Sequence, residues 1–139
     1  MLSELFDTSA WAVSKRRTAL ADEFSGLLSS GSVATCDQVR FELLYGARNF
    51  DEFCFLRTRL AVLDDCPIEK QQWQRALDVY EALAERGGSH QRQVKRQDLL
   101  IAAAAEAAGI PVVHYDADYD AISAITGQET RWFSPRGSI

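Results

Sequence analysis

Short apolar runs alternate along the chain with segments whose apolar positions recur at three and four. Leu2, Leu5 and Phe6 lead into the DTS at residues 7–9, which predicts a short first strand ending near Asp7. Residues 18–28 read as a helix that the SSGS at 29–32 breaks. Val33 and Ala34 predict a very short second strand. Thr35, with Gln38 three residues on, has the form of a capping box and predicts a helix over 36–47. Residues 50–62 read as a helix anchored by Phe50, Phe53, Cys54 and Leu60, and residues 62–68 as another short strand ending at Pro67. The clearest helix covers 69–86. There Trp73, Ala76, Leu77, Tyr80, Leu83 and Ala84 repeat at helical spacing, with charges on the opposite face. Gly87 and Gly88 stop it, and GGSHQRQ (87–93) reads as a polar loop. A helix over 98–108 ends at Gly109 and Pro111. A strand over 110–114, a short helix over 119–126 and a last strand over 130–133 complete the pattern.

Strands alternating with helices imply a parallel sheet with helices on both faces, an α/β architecture. One stretch stands apart. From Leu99 to Val113 the only charged residue is Glu106, yet Asp98 precedes this run and Asp116, Asp118 and Asp120 follow it. In parallel α/β sheets, ligands bind beyond the carboxyl ends of the strands. Asp7 follows the first strand, and Asp116 follows the strand at 110–114. Asp98 opens an alanine-rich helix able to lie close to the sheet. Three acids distant in sequence are therefore expected to meet at one rim. Glu42 lies on the flank of the stripe formed by Val39, Leu43 and Ala47, one turn before Gly46. That glycine either clears space beside Glu42 or permits close helix packing. Each acid also has an ordinary explanation: Asp7 as an Asx-turn, Asp98 as an N-cap, Asp116 and Asp118 as turn formers. Their joint placement favours a site. Asp120 reads as a solvated acid at a helix start.

Composition narrows the class. The 139 residues suggest one domain, 47% apolar and 25% charged, with a net charge of −5. Bulk basic character is absent, which argues against binding nucleic acid by charge alone but does not exclude an enzyme that meets RNA at one local patch. Cys36, Cys54 and Cys66 are odd in number and lack CxxC spacing, which argues against a disulfide framework or a zinc site. Glu4 and Asp7 interrupt the apolar region that a signal peptide needs, and no run reaches transmembrane length. The expected setting is a cytoplasmic, soluble domain. Arg92, Lys95 and Arg96 form a basic run before Asp98, readable as a phosphate contact or as a solvated face. Arg40 and Arg48 carry the same two readings. His90 is expected in an exposed loop, His114 packed at a strand end, and Trp11 and Trp73 in the core or an interface.

Three stretches carry a resemblance: DTSAW at 7–11, FELLYGAR at 41–48 and QDLLIAAAAEAAGIPVVHYDADYDAI at 97–122. In this order and spacing they resemble the PIN-domain ribonucleases, specifically the VapC toxins of bacterial type II toxin–antitoxin pairs. The resemblance implies a single PIN domain over 1–139. Its fold would be a PIN-like three-layer sandwich, with a mostly parallel central sheet of short strands flanked by helices. It implies a metal-dependent endoribonuclease whose acidic quartet is Asp7, Glu42, Asp98 and Asp116, with Asp118 assisting or replacing Asp116. His114 stands where threonine is frequent and Tyr119 where phenylalanine is frequent, which bears on how Asp116 is held. One or two Mg²⁺ or Mn²⁺ ions are expected, because these ions prefer oxygen ligands and Mg²⁺ keeps several waters. Asp7, Asp98 and Asp116 would hold metal, Glu42 would orient or deprotonate the attacking water, and Ser9 would bond a ligand or a neighbouring carboxylate. The expected partners are RNA (transfer, ribosomal or messenger), a VapB-type antitoxin and a second copy of the chain, without a membrane. The alternative is a PIN scaffold that binds RNA or protein without cutting. A receiver-like phosphotransfer domain would need a lysine after a late strand, and Lys15, Lys70 and Lys95 are not so placed.

Overall fold

The first strand, β1 (Glu4–Phe6), lies at the centre of a five-stranded parallel sheet. Its companions are β2 (Val33–Thr35), β3 (Asp64–Asp65), β4 (Val112–His114) and β5 (Thr130–Trp132), in the order β3-β2-β1-β4-β5. The computed structural model describes residues 3–88 and 90–139, apart from the side chains of His90 and Gln91. The expectations for the His90 side chain and for Leu2 therefore lie outside the described residues. Leu5, Phe6, Val33, Ala34, Val112 and Val113 are all buried. Strands covered on both faces read as continuous apolar runs, and so these do. The register pairs Leu5 with Ala34 on one side and with Val112 on the other.

Helices α1 (Thr8–Val13), α2 (Thr18–Ser29), α3 (Asp37–Tyr45), α4 (Phe50–Ala61), α5 (Lys70–Glu85), α6 (His90–Gln93), α7 (Arg96–Ala108) and α8 (Asp118–Thr126) flank the sheet. Every residue of α7 from Asp98 to Ala105 is buried. Its alanines bring the helix backbone close to its neighbours, and Ile101, fully enclosed, contributes about 1.5–3 kcal/mol by burial. Gly109 ends α7 at φ 71°, a left-handed conformation that favours glycine. An aromatic cluster packs near β1: Trp11 and Phe24 stand edge to face at 4.7 Å, and Phe6 lies 5.1 Å from Phe24. Among the described residues, no helix is long and apolar enough to cross a membrane.

Several expectations need correction. Helix α1 was not anticipated; the Asp7 carboxylate caps it by accepting from the Ala10 amide at 2.9 Å. Thr35 does not cap α3: it ends β2, its hydroxyl is buried without a hydrogen-bond partner, and the extended residue before α3 is Cys36. The capping box sits instead on α5, between Glu69 and Gln72. Helix α3 stops at Tyr45 with Gly46 as its C-cap, and a Cβ there would make only ordinary contacts. Gly46 neither clears a space for Glu42 nor permits a close helix crossing. On α4, Leu60 is buried while Phe50 and Cys54 are exposed. On α5, Ala76, Val79 and Leu83 face the core, whereas Trp73, Leu77 and Tyr80 remain open to solvent. Part of the expected polar loop at 87–93 is the short α6, and the third strand covers only two residues.

Candidate functional site

The connections leaving β1 and β4 run to opposite sides of the sheet, so the crevice between these neighbours is the topological switch point where such folds bind ligands. Asp7 is the first residue after β1, and its amide donates to the Val113 carbonyl at 3.1 Å. Asp116 lies two residues beyond β4. Asp98 is the third residue of α7, whose N-cap is Lys95; the N-cap reading of Asp98 is therefore wrong. Carboxylate oxygens of Asp98, Asp116 and Asp118 all lie within 4.8 Å of one another. Asp7 borders this group: its charge and those of Asp98 and Asp116 repel. Glu42 is not brought into the triad; half-buried on α3, it accepts a bond from Gln38 at 3.3 Å.

Neighbouring side chains fix each acid. The Ser9 hydroxyl donates to Asp7 Oδ1 at 2.7 Å and accepts from the Tyr115 amide at 2.8 Å, tying α1 to the loop after β4. Ser9 thus serves a neighbouring carboxylate, the second of its two expected uses. Tyr119 is fully buried and donates its hydroxyl to Asp98 Oδ1 at 3.2 Å. Asp116 Oδ1 accepts from the Asp118 amide at 2.9 Å, and the Asp116 amide donates to His114 Nδ1 at 3.1 Å. That bond places the neutral imidazole's proton on Nε2. His114 is wholly buried, stacked on Tyr119 at 4.8 Å and edge-on to Trp132 at 5.0 Å. Burial lowers its pKa to about 4, so it packs and holds the Asp116 backbone as a neutral ring.

The run of Arg92, Lys95 and Arg96 reads in sequence as a phosphate contact or a solvated face. The Lys95 ammonium instead points into the acids, 2.7 Å from Asp116 Oδ2, 3.0 Å from Asp118 Oδ2 and 3.5 Å from Asp98 Oδ2. The Lys95 amide also donates to Asp118 Oδ2 at 3.0 Å. Arg92 and Arg96 are exposed. Arg40 pairs with Asp37 and Asp65, and Arg48 with Glu52, so both belong to surface ion pairs.

Electrostatics sort the acids. Burial pushes the Asp7 carboxyl up to about 6, against the opposing bonds from Ser9 and Ala10. Burial raises Asp98 to about 8; competition with Asp118 for one proton adds to this, and Lys95 opposes it. Asp118 moves the other way: burial would raise it, but bonds from Asp98 and Lys95 hold it below the ordinary carboxylate range. Burial alone would lower the Lys95 pKa, yet its bonds to Asp116 and Asp118 raise it above the usual lysine value. Asp98 Oδ2 is buried and accepts no hydrogen bond. A buried carboxylate oxygen that makes no hydrogen bond, lies 3.5 Å from an ammonium and faces two further carboxylates suits a hard divalent cation such as Mg²⁺ or Mn²⁺. Among the described residues, neither cysteine nor histidine belongs to the cluster.

Comparison with known proteins identifies the family and the fold. Residues 5–125 match the PIN domain family. The chain is 42% identical to Ribonuclease VapC18 of Mycobacterium tuberculosis over 133 residues, covering 96% of each. It is 41% identical to Ribonuclease VapC51 of the same organism, covering 99% of this chain and 98% of that one. The fold matches the DNA-bound VapBC structure from Salmonella typhimurium with a TM-score of 0.74 at 18% identity, over 96% of this chain and 100% of that one. It also matches VapBC-1 from nontypeable Haemophilus influenzae with a TM-score of 0.72 at 16% identity, over 96% and 98%. With its all-parallel sheet flanked by helices and its near-full-length likeness to these relatives, the chain belongs to the PIN-domain family, in the VapC branch.

Proposed function

We propose that this chain is a metal-dependent endoribonuclease, the toxin of a VapBC-type pair, which cuts structured RNA through its acidic rim. The observation that carries the reading is the convergence of Asp98, Asp116 and Asp118 at the β1–β4 switch point, with Asp98 Oδ2 buried and making no hydrogen bond. Support comes from the ribonuclease relatives that match nearly the whole chain. One or two Mg²⁺ or Mn²⁺ ions, when bound, would polarise the scissile phosphate and lower the pKa of a water. The chain's own residues supply the rest. Asp98, Asp116 and Asp118 offer the ligand oxygens, and Asp7 closes the rim on the β1 side. Tyr119 holds Asp98 Oδ1, and the Asp118 amide holds Asp116 Oδ1, so that the Oδ2 atoms of both face the Lys95 ammonium. Glu42, on α3 beside α7, is the group assigned to orient or deprotonate the attacking water. Among the described residues, Arg92 and Arg96 are exposed cations near the head of α7, placed to meet RNA phosphates.

Transfer, ribosomal and messenger RNA all fit this chemistry. A VapB-type antitoxin and a homodimer complete the reading; the VapBC neighbours support the first, and exposed apolar side chains on α3, α4 and α5 offer surface for both. A mass near 15.5 kDa by light scattering across micromolar concentrations would contradict the dimer. The function itself is tested in cells: expression without an antitoxin should arrest growth, and Asp7→Asn should relieve the arrest. Arrest that persists with Asp7→Asn at equal protein level contradicts it.

A further inference from the structure

Lys95 is a cation placed where the acids would hold another. Its ammonium is the hub of the carboxylate cluster, within 3.5 Å of one oxygen from each of Asp98, Asp116 and Asp118. Its backbone cannot leave, because Lys95 is the N-cap of α7 and its amide is bonded to Asp118. Its side chain is 49% exposed, whereas that of Asp98 is 6% exposed, so the lysine can swing out while the acid stays. A divalent ion held by the oxygens of Asp98, Asp116 and Asp118 that the ammonium now faces would need the ammonium's place. In the metal-free protein the ammonium relieves repulsion among the acids; with a divalent ion present, the same ammonium would be repelled by it. Both effects weaken metal binding, so they share one sign.

We infer that Lys95 is a built-in occupant of the metal position, an intramolecular counter-ion that a divalent cation must expel before the acids can bind it. The inference rests on the metal-dependent reading above. It gives Lys95 two positions: inward, stabilising the metal-free acids, and outward, at the head of α7 beside Arg92 and Arg96, where a substrate phosphate can take it. By this arrangement the acids stay partly neutralised at low metal concentration, and metal entry frees a cation for the RNA backbone.

The test uses Mn²⁺ alone, titrated calorimetrically at pH 8 into the chelator-stripped full chain without RNA. Lys95→Met and Lys95→Gln, which keep the length or polarity of the side chain but remove its charge, should each bind Mn²⁺ at least tenfold more tightly than wild type. Lys95→Arg, which keeps the charge, should not. A second readout separates this role from a merely structural one. In chelator both uncharged variants should have lower denaturation midpoints than wild type, and saturating Mn²⁺ should erase or reverse the difference. A structural lysine would lower the midpoint in both conditions. Uncharged variants that bind Mn²⁺ no more tightly than wild type overturn the inference. Wild type that binds no more Mn²⁺ than Asp116→Asn overturns the metal site itself, and the inference with it.

Discussion

Asp7→Asn should stabilise the metal-free protein while disabling it. Asp7 is 2% exposed, and its Oδ1 accepts from Ser9 and from the Ala10 amide. Asparagine offers the same oxygen and caps helices as well as aspartate, so α1 keeps its start. What changes is the charge. Burial raises the folded-state pKa of Asp7 from 3.8 to about 6, so the folded chain holds a proton that the unfolded chain has already lost. Between those values stability falls as pH rises: the penalty is absent below about pH 4 and complete above about pH 7. At about 1.4 kcal/mol per pH unit, ionising Asp7 in the fold costs about 3 kcal/mol. For a chain of this length that is a rise of about 10 °C in midpoint on replacement by asparagine. Urea denaturation in chelator, at intervals from pH 4 to pH 8, reads the effect. The asparagine variant should match wild type at pH 4 and gain about 3 kcal/mol by pH 8. A variant that is neutral or less stable at pH 8, or whose gain is the same at every pH, refutes the reasoning.

Asp98→Asn should also raise the denaturation midpoint in chelator, by about 1–2 kcal/mol. Above about pH 8, where the folded Asp98 is ionised, it and a carboxylate about 5 Å away repel by roughly 3 kcal/mol at an effective dielectric of 20, and Lys95 offsets part of this. Added Mn²⁺ should stabilise wild type far more than this variant, and an equal metal response in the two would remove Asp98 from the ligand set. Because Asp98 must lose a proton to serve as a ligand, and burial holds its carboxyl well above the ordinary carboxylate range, Mn²⁺ affinity should climb from pH 6 to pH 8. A flat profile over that range, measured calorimetrically, counts against the assignment. Ala104→Leu forces a larger side chain into the 1% exposed face of α7 and should cost about 1–3 kcal/mol in urea denaturation; a neutral result would mean the α7 packing is wrong.

Much of the fold was legible because its strongest signals are local. The apolar runs around Leu5, Val33 and Val112 mark the three inner strands, and the run from Leu99 to Ala105 marks the buried helix. The rim followed from topology, since residues just past β1 and β4 must share an edge. What stayed hidden depends on distant partners. Helix α1 is only six residues long and starts on a cap supplied by Asp7, an acid that reads equally well as a turn. Thr35 has the spacing of a cap, but the sheet keeps its backbone extended, and tertiary pairing with Asp65 prevails. Helical spacing shows that Trp73, Leu77 and Tyr80 share a face; it cannot say whether anything covers that face. Lys95 is three residues from Asp98, which was visible, but Asp116 and Asp118, which turn it inward, are 21 and 23 residues away. Tyr119 escaped notice as a site residue because its value lies in a hydroxyl aimed at Asp98, and aromatic spacing says nothing of that.

RNA cleavage by the purified, chelator-stripped chain, with and without added Mn²⁺, decides whether the acids at the switch point are a metal-dependent nuclease centre. Wild type should leave a structured RNA intact in chelator and cut it at internal positions once Mn²⁺ is added. Asp98→Asn and Asp116→Asn, folded and equally pure, should cut at least about 100-fold more slowly, a loss of about 2.7 kcal/mol of transition-state stabilisation. Cleavage that persists in chelator, or that either asparagine variant retains in full, would contradict the assignment of the rim.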